Sequence, residues 1–295
     1  MCRKVQSPIF TTGKLTYMKG SLTLILGVLI ALCTHAGTVD TISVYSNAMK
    51  KDIRTVIILP SKYKKLSNLP VVYLLHGWSG KYSGWIKESP QLAKTVDEMQ
   101  IMIVCPDAGF NSWYFDSPVD SSVRYETFIT GELVPYIDQH YKSSKHRAFR
   151  AIAGLSMGGH GAMFLSIRHK DLFGNAGSMA GGVDIRPFPK NWDLSKKLGD
   201  SATHPQNWEN YTVINVVDQL KPGELNLIID CGIGDFFLPV NRAFHRKLLE
   251  MKIEHDYTER PGAHNSKYWG SAVDFQLLFF KKAFDKAKAA VVAAK

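Results

Sequence analysis

The sequence predicts an α/β fold, in which a mostly parallel, eight-stranded sheet carries helices on both faces. Three observations predict it. Apolar runs of strand length alternate with helical patterns over most of the chain, the arrangement of successive strand–helix–strand units. Two of the runs, residues 70–75 and 101–105, are apolar almost without interruption, which marks strands buried on both faces. Between an apolar run at 148–153 and a helical pattern starting near Gly159 stands Gly154-Leu155-Ser156-Met157-Gly158, a serine with glycine two residues to either side.

Residues 39–46 and 53–59 read as an opening antiparallel pair. The buried run 70–75 ends in His76-Gly77-Trp78-Ser79-Gly80, and residues 89–99 follow as a helix. Pro106 breaks the strand 101–105, since proline cannot donate to a ladder. Residues 107–121 form a loop rich in aromatic and turn residues. Apolar residues at helical spacing place a long helix over 123–141. After the serine strand and its helix come a short strand at 175–180, an irregular stretch over 181–204 and a helix near 208–219. A strand at 225–231, a helix at 239–251, a strand at 254–259 and a last helix at 269–294 complete the chain. In such a sheet the functional groups collect in loops at the carboxyl ends of the strands.

Strand, Gly-x-Ser-x-Gly, helix is the nucleophile elbow of α/β-hydrolases. The chain turns so sharply at Ser156 that side chains two residues either side would clash, so glycine stands there. The turn exposes the hydroxyl and aims backbone N–H groups at whatever it attacks. A serine hydroxyl needs a base, and the base an orienting carboxylate; the fold delivers them in the chain order Ser, acid, His. His160, His169 and His245 fall on helices and read as surface or packing residues, while His255 opens a strand. His264, in the loop between the last strand and the last helix, is the expected base. Asp235, in Gly232-Ile233-Gly234-Asp235-Phe236 after the seventh strand, is the expected acid. Asp184 is the other topological option, and Asp230 ends the strand itself and reads as a cap or support for the neighbouring loop. Oxyanion donors are expected from the backbone of Met157 and from the loop after the third strand, at Trp78 with Gly77 as the alternative.

The N-terminus is set aside from the fold. Residues 21–33 are almost wholly apolar, follow Lys19 and other cations without an acid, and precede Thr34-His35-Ala36, a small-x-small cleavage site. That is a secretory signal peptide over residues 1–36, too short in its apolar part for a comfortable membrane span. Met18 serves equally as a start. Residues 37–295 then form a single catalytic domain, with no stable membrane insertion once the signal is cleaved. The chain's net charge is +10. The leader carries Arg3, Lys4, Lys14 and Lys19 and no acid, so a net charge of +6 remains on the rest. Much of that sits in the last helix, at Lys281, Lys282, Lys286, Lys288 and Lys295, and reads as a solvated face. Nucleic-acid binding calls for basic clusters interleaved with aromatics, which the sequence lacks. Two cysteines lie past the leader, Cys105 and Cys231, on strands several neighbours apart at about 4.8 Å per step. A disulfide needs Cα atoms within roughly 7 Å, so both read as buried free thiols. No His/Cys spacing suggests a metal, and no cofactor is expected.

Leu74-Leu75-His76-Gly77, Asn111-Ser112-Trp113-Tyr114, Gly154-Leu155-Ser156-Met157-Gly158-Gly159, Gly232-x-x-Asp235-Phe236 and Gly262-x-His264 occur in this order. On these motifs the chain resembles the putative-esterase family of α/β-hydrolases, over nearly the whole length past the leader. That family includes esterase D and S-formylglutathione hydrolases, tributyrin esterases, feruloyl and acetyl-xylan esterases of carbohydrate esterase family one, and mycolyltransferases. By resemblance, Ser156, Asp235 and His264 match the family's triad positions. The family's aromatic after the histidine is represented by Tyr268 and Trp269 at a slight offset. The resemblance implies a serine ester hydrolase acting on a small-molecule or oligosaccharide acyl ester. Export favours acetyl or feruloyl groups of plant polysaccharide, or short acyl esters, over a cytosolic glutathione thioester. An acyltransferase of the mycolyltransferase type, an S-formylglutathione hydrolase-like thioesterase and a non-catalytic carbohydrate-binding relative are the alternatives. Trp113, Tyr114 and Trp269, with Trp78, are expected to wall the acyl or sugar site, since flat aromatics bury much area.

Overall fold

The uninterrupted apolar runs become the middle of the sheet because each of their faces is covered. Val71, Tyr73 and Leu75 point into one core with Phe128, Phe164 and Phe244; Val72 and Leu74 point into another with Trp85, Val96 and Phe280. This period-two division follows from the pleat. The structure, a computed structural model, describes residues 37–293. The signal peptide expected over 1–36 lies outside the described residues.

Eight strands among the described residues form one sheet. They are β1 (Thr38–Ser46), β2 (Lys51–Leu59), β3 (Val71–Leu75), β4 (Met102–Pro106), β5 (Arg150–Leu155), β6 (Asn175–Met179), β7 (Asn226–Gly232) and β8 (His255–Arg260). Their order across the sheet is β1-β2-β4-β3-β5-β6-β7-β8. β1 pairs antiparallel with β2, and β2 with β4; all later pairs are parallel. The mostly parallel α/β-hydrolase architecture expected from sequence is therefore present. Cys105 on β4 and Cys231 on β7 are separated by three strands and are buried free thiols.

The helices are α1 (Gly84–Glu88), α2 (Leu92–Met99), α3 (Tyr125–Thr127), α4 (Val134–His140), α5 (Met157–Arg168), α6 (Leu194–Leu198), α7 (Pro205–Asn210), α8 (Val213–Val216), α9 (Leu238–Glu250) and α10 (Ser266–Ala293). α1, α2 and α10 cover one face; the others lie over the second. Three expected helices differ in detail. The one over 89–99 begins at Gly84 and is interrupted at Ser89–Gln91, where Pro90 can supply no helical N–H. The one over 123–141 contains a π-helical stretch, Phe128–Leu133, within which the Thr130 hydroxyl donates to Glu126 O at 2.8 Å. The one near 208–219 breaks at Thr212, which is extended and donates its hydroxyl to Trp208 O at 2.7 Å. The stretch 181–204 is irregular apart from α6.

Candidate active site

Ser156 alone joins β5 to α5. A Cβ on Gly154 would sit 2.4 Å from the Gly158 carbonyl, and one on Gly158 would sit 2.4 Å from Leu75 O. Both obstacles are backbone and cannot step aside, so glycine at these positions is what lets α5 start tight against β3 and β5. Ser156 adopts φ 54° and ψ −116°, a region that L residues rarely occupy. The turn is held from both sides: Ser156 N–H donates to Met179 O at 3.0 Å, and Ser156 O accepts from His160 N–H at 3.1 Å.

Parallel pairing of β5 through β8 puts the loops after β5, β7 and β8 on one edge of the sheet. His264, between β8 and α10, places Nε2 2.8 Å from Ser156 Oγ and Nδ1 2.8 Å from Asp235 Oδ2. Asp235, between β7 and α9, has a fully enclosed side chain, and its Oδ1 accepts the Phe237 N–H at 2.8 Å. An ionised carboxylate only accepts, so Nδ1 carries the ring proton and Nε2 is left to accept from the serine hydroxyl. Phe236 and Trp269 flank the imidazole, with ring centroids 4.3 Å and 4.8 Å away. The remaining downstream histidines are engaged elsewhere: His160 faces Trp113 O and Tyr211 O, His169 meets Glu126, His204 meets Thr203, and His245 and His255 meet each other. Asp184 is paired with Arg186 at 2.8 Å.

Met157 begins α5, so its N–H belongs to the first helical turn and has no partner within the helix. In the loop after β3, Ser79 N–H donates to Phe110 O and Gly80 N–H to Gly77 O. Those bonds remove both amides as oxyanion donors and leave Trp78 and Gly77 as the loop's candidates. His76 braces the loop: its Nδ1–H donates to Gly77 O at 2.8 Å, and its Nε2 accepts the Ala108 N–H at 2.9 Å. Burial depresses its pKa and keeps it neutral for both roles.

Ser156 and His264 open into a cavity of about 390 Å³ walled by residues 76–80, by Gly84, Trp85 and Glu88 of α1, and by Leu155, Trp192 and Trp269. Four indoles give this space flat apolar faces, and polar groups line nearly as much of it.

The family model described as "Putative esterase" matches residues 46–280. The chain belongs to this esterase family. An acetyl esterase of Caldicellulosiruptor saccharolyticus is 23% identical over 258 residues, 79% of this chain and 94% of that protein. Esterase Rv1288 of Mycobacterium tuberculosis is 31% identical over 235 residues, 70% of this chain but only 51% of its own length. A solved ferulic acid esterase matches with a TM-score of 0.73 and 28% identity, over 84% of this chain and 99% of that one. The protein is accordingly a carboxylesterase hydrolase.

Two expected wall residues of this esterase are not on the cavity. Trp113 and Tyr114 are 1% and 0% exposed, and neither lines the space beside Ser156. Consecutive left-handed residues, φ 54° and 64°, turn both rings inward onto α5. Trp113 packs edge-on to His160 at 5.2 Å, and a Cβ on Gly161 would strike the Tyr114 ring at 2.6 Å. Tyr114 Oη donates to His76 O at 3.0 Å, so the pair supports the loop after β3 from beneath. Asn111 reaches across to Asp193 at 3.1 Å, beside Trp192. Trp78 and Trp269 do line the cavity.

Trp85, Glu88 and Trp192 also line it, and sequence reasoning passed over them. Trp192 lies in the irregular stretch, where the signal was an aromatic pair, Phe188 and Trp192, with no periodicity to assign it. Asp230 does not cap a neighbouring loop. It is buried and accepts from Tyr268 Oη at 2.9 Å and Gln276 Nε2 at 2.8 Å, with Arg260 at 3.3 Å, tying β7 to α10 and to the end of β8. Burial lifts its carboxyl to about 6 against those three stabilising partners. Among the described residues no group of three or more His, Cys, Asp or Glu is placed to hold a metal ion, and no helix is long and apolar enough to cross a membrane.

Proposed function

We propose that the protein is an exported serine esterase whose nucleophile, base and orienting acid are Ser156, His264 and Asp235. The observation that carries this reading is the unbroken chain Asp235–His264–Ser156, with both links at 2.8 Å and the serine on a strained turn. As Ser156 Oγ attacks the ester carbonyl, His264 Nε2 takes its proton, and Asp235 stays ionised and stabilises the imidazolium. The N–H groups of Met157 and Trp78 receive the negative oxygen; one such donor is worth about 3–4 kcal/mol in the transition state. The imidazolium then protonates the departing alcohol, and water releases the acyl group by the same path.

Acyl esters of plant polysaccharide, acetyl or feruloyl, are the proposed substrates. Support comes from the indole-walled cavity and from the acetyl esterase and ferulic acid esterase among the relatives. Export rests on the apolar run at 21–33 with Thr34-His35-Ala36 behind it. The test is labelling with a fluorophosphonate alongside turnover of acetyl, butyryl and feruloyl esters. Wild type should label and hydrolyse, and Ser156→Ala should do neither while melting like wild type. Labelling or turnover retained by Ser156→Ala defeats the proposal.

A further inference from the structure

Glu88 closes α1 and lines the same cavity as Ser156 and His264, yet the reaction above gives it no task. Among the described residues no hydrogen bond or ion pair reaches its carboxyl, and Oε2 is enclosed without a partner. Two indole N–H groups from the same wall, Trp85 Nε1 and Trp269 Nε1, are likewise buried without an acceptor. Buried polar groups are nearly always paired, and unpaired ones destabilise the fold. One cavity wall that holds an unmatched acceptor and two unmatched donors is not explained by folding.

The backbone holds this arrangement in place. A Cβ on Gly270 would sit 2.6 Å from Glu88 O, so α1 ends hard against the first turn of α10, next to Trp269. Ser89 Oγ and Gln91 Nε2 both donate to Gly270 O, at 3.2 Å and 3.1 Å. Glu88 Oε1, the oxygen that is not enclosed, lies 4.0 Å from where a Gly84 side chain would begin, an ordinary contact distance.

We propose that Glu88 selects ester substrates that carry a free hydroxyl close to the scissile bond, by accepting a hydrogen bond from that hydroxyl. This rests on the ester-hydrolase reading given above. A hydroxyl can donate to the open oxygen of a carboxylate, and a methyl of the same size cannot. Burial, which raises the Glu88 carboxyl above the ordinary carboxylate range, fits a group still lacking its donor. The hydroxyl can belong to the alcohol or to the acyl group, and simple isosteres separate the two.

The experiment compares kcat/KM for 2-hydroxyethyl butyrate and for propyl 3-hydroxypropanoate, each against propyl butyrate, in which a methyl replaces the hydroxyl. Wild type should favour at least one hydroxylated ester by about tenfold or more, since a site built to hydrogen-bond a hydroxyl rejects the analogue that lacks it. Glu88→Met should bring that ratio to within about twofold of one, and Glu88→Gln, which keeps an acceptor, should hold part of it. Glu88→Met should also melt no lower than wild type, because it removes an unpartnered carboxyl. No preference in either wild-type arm, a preference that survives Glu88→Met, or a lowered melting temperature overturns the proposal. Hydrolysis of propyl butyrate that persists in Ser156→Ala is a different failure, and removes the ester-hydrolase reading on which this one rests.

Discussion

Tyr114 donates its hydroxyl to the carbonyl oxygen of His76 across 3.0 Å, and so couples a buried aromatic to the strand end that presents Gly77 and Trp78. The loop proposed to offer an oxyanion donor is thus held from below by a residue that does not line the cavity.

Tyr114→Phe tests that coupling. Loss of one buried hydrogen bond should lower stability by about 1 kcal/mol. If the loop drifts as its brace is lost, kcat should fall several-fold on every ester alike, with fluorophosphonate labelling slowed but retained. Steady-state kinetics beside a thermal melt check both.

Trp113→Ala removes a large enclosed ring and should destabilise by about 3–5 kcal/mol. Because the indole is not on the cavity, the ratio of kcat/KM between sugar-borne and alkyl esters should stay as in wild type wherever the variant is folded. A selective loss on the sugar esters would return Trp113 to the substrate wall.

Asp235→Asn should lower kcat by roughly 10⁴-fold with little change in melting temperature, since the neutral amide disturbs the imidazole tautomer and no longer stabilises the imidazolium. Turnover within tenfold of wild type in the folded variant rules out Asp235 as the orienting acid.

Asp230→Asn should act on stability through pH. Asp230 titrates at about 6 in the fold against an ordinary 3.8, so its contribution is present in full below about pH 4 and is lost as pH rises through 6. His160 runs the opposite way. Burial lowers it from 6.5 to about 4, so its contribution is present above 6.5 and is lost as pH falls toward 4. In wild type the two offset one another on acidification. Melting temperatures from pH 7 to pH 4 should therefore fall more steeply in Asp230→Asn than in wild type, and parallel curves would show that Asp230 does not titrate in that window.

Gly158→Ala should leave no soluble esterase, or cost about 3 kcal/mol or more, because its Cβ would meet the backbone carbonyl of Leu75 rather than a movable side chain. A variant that expresses and melts like wild type would mean that α5 can start further from β3.

What the sequence revealed of this site follows how directly each feature is forced by local chemistry. Gly154, Ser156 and Gly158 were readable because a sharp turn admits few other residues. His264 and Asp235 were readable because parallel strands send their following loops to one edge. Trp113 and Tyr114 were misplaced because a loop aromatic looks available until its backbone dihedrals are known, and left-handed φ values at two successive aromatics leave no trace in periodicity. Glu88 was passed over for a similar reason. It stands just ahead of the helix expected over 89–99, where no pattern singles it out, and its meaning lies in the cavity it lines and in the absence of a partner. The break at Pro90 follows from a missing N–H donor and that at Thr212 from a competing local hydrogen bond, both within stretches of otherwise helical spacing.

Ser156 and His264 are 108 residues apart in the chain and meet only when β5, β6, β7 and β8 stand side by side. Contacts so distant in sequence form slowly, since loop closure precedes any reward from packing. Catalytic competence should therefore be among the last properties to return on refolding, after helical signal and compactness have recovered. A chain stalled before β8 docks would hold its elbow glycines and its serine in nearly native form and still hydrolyse nothing.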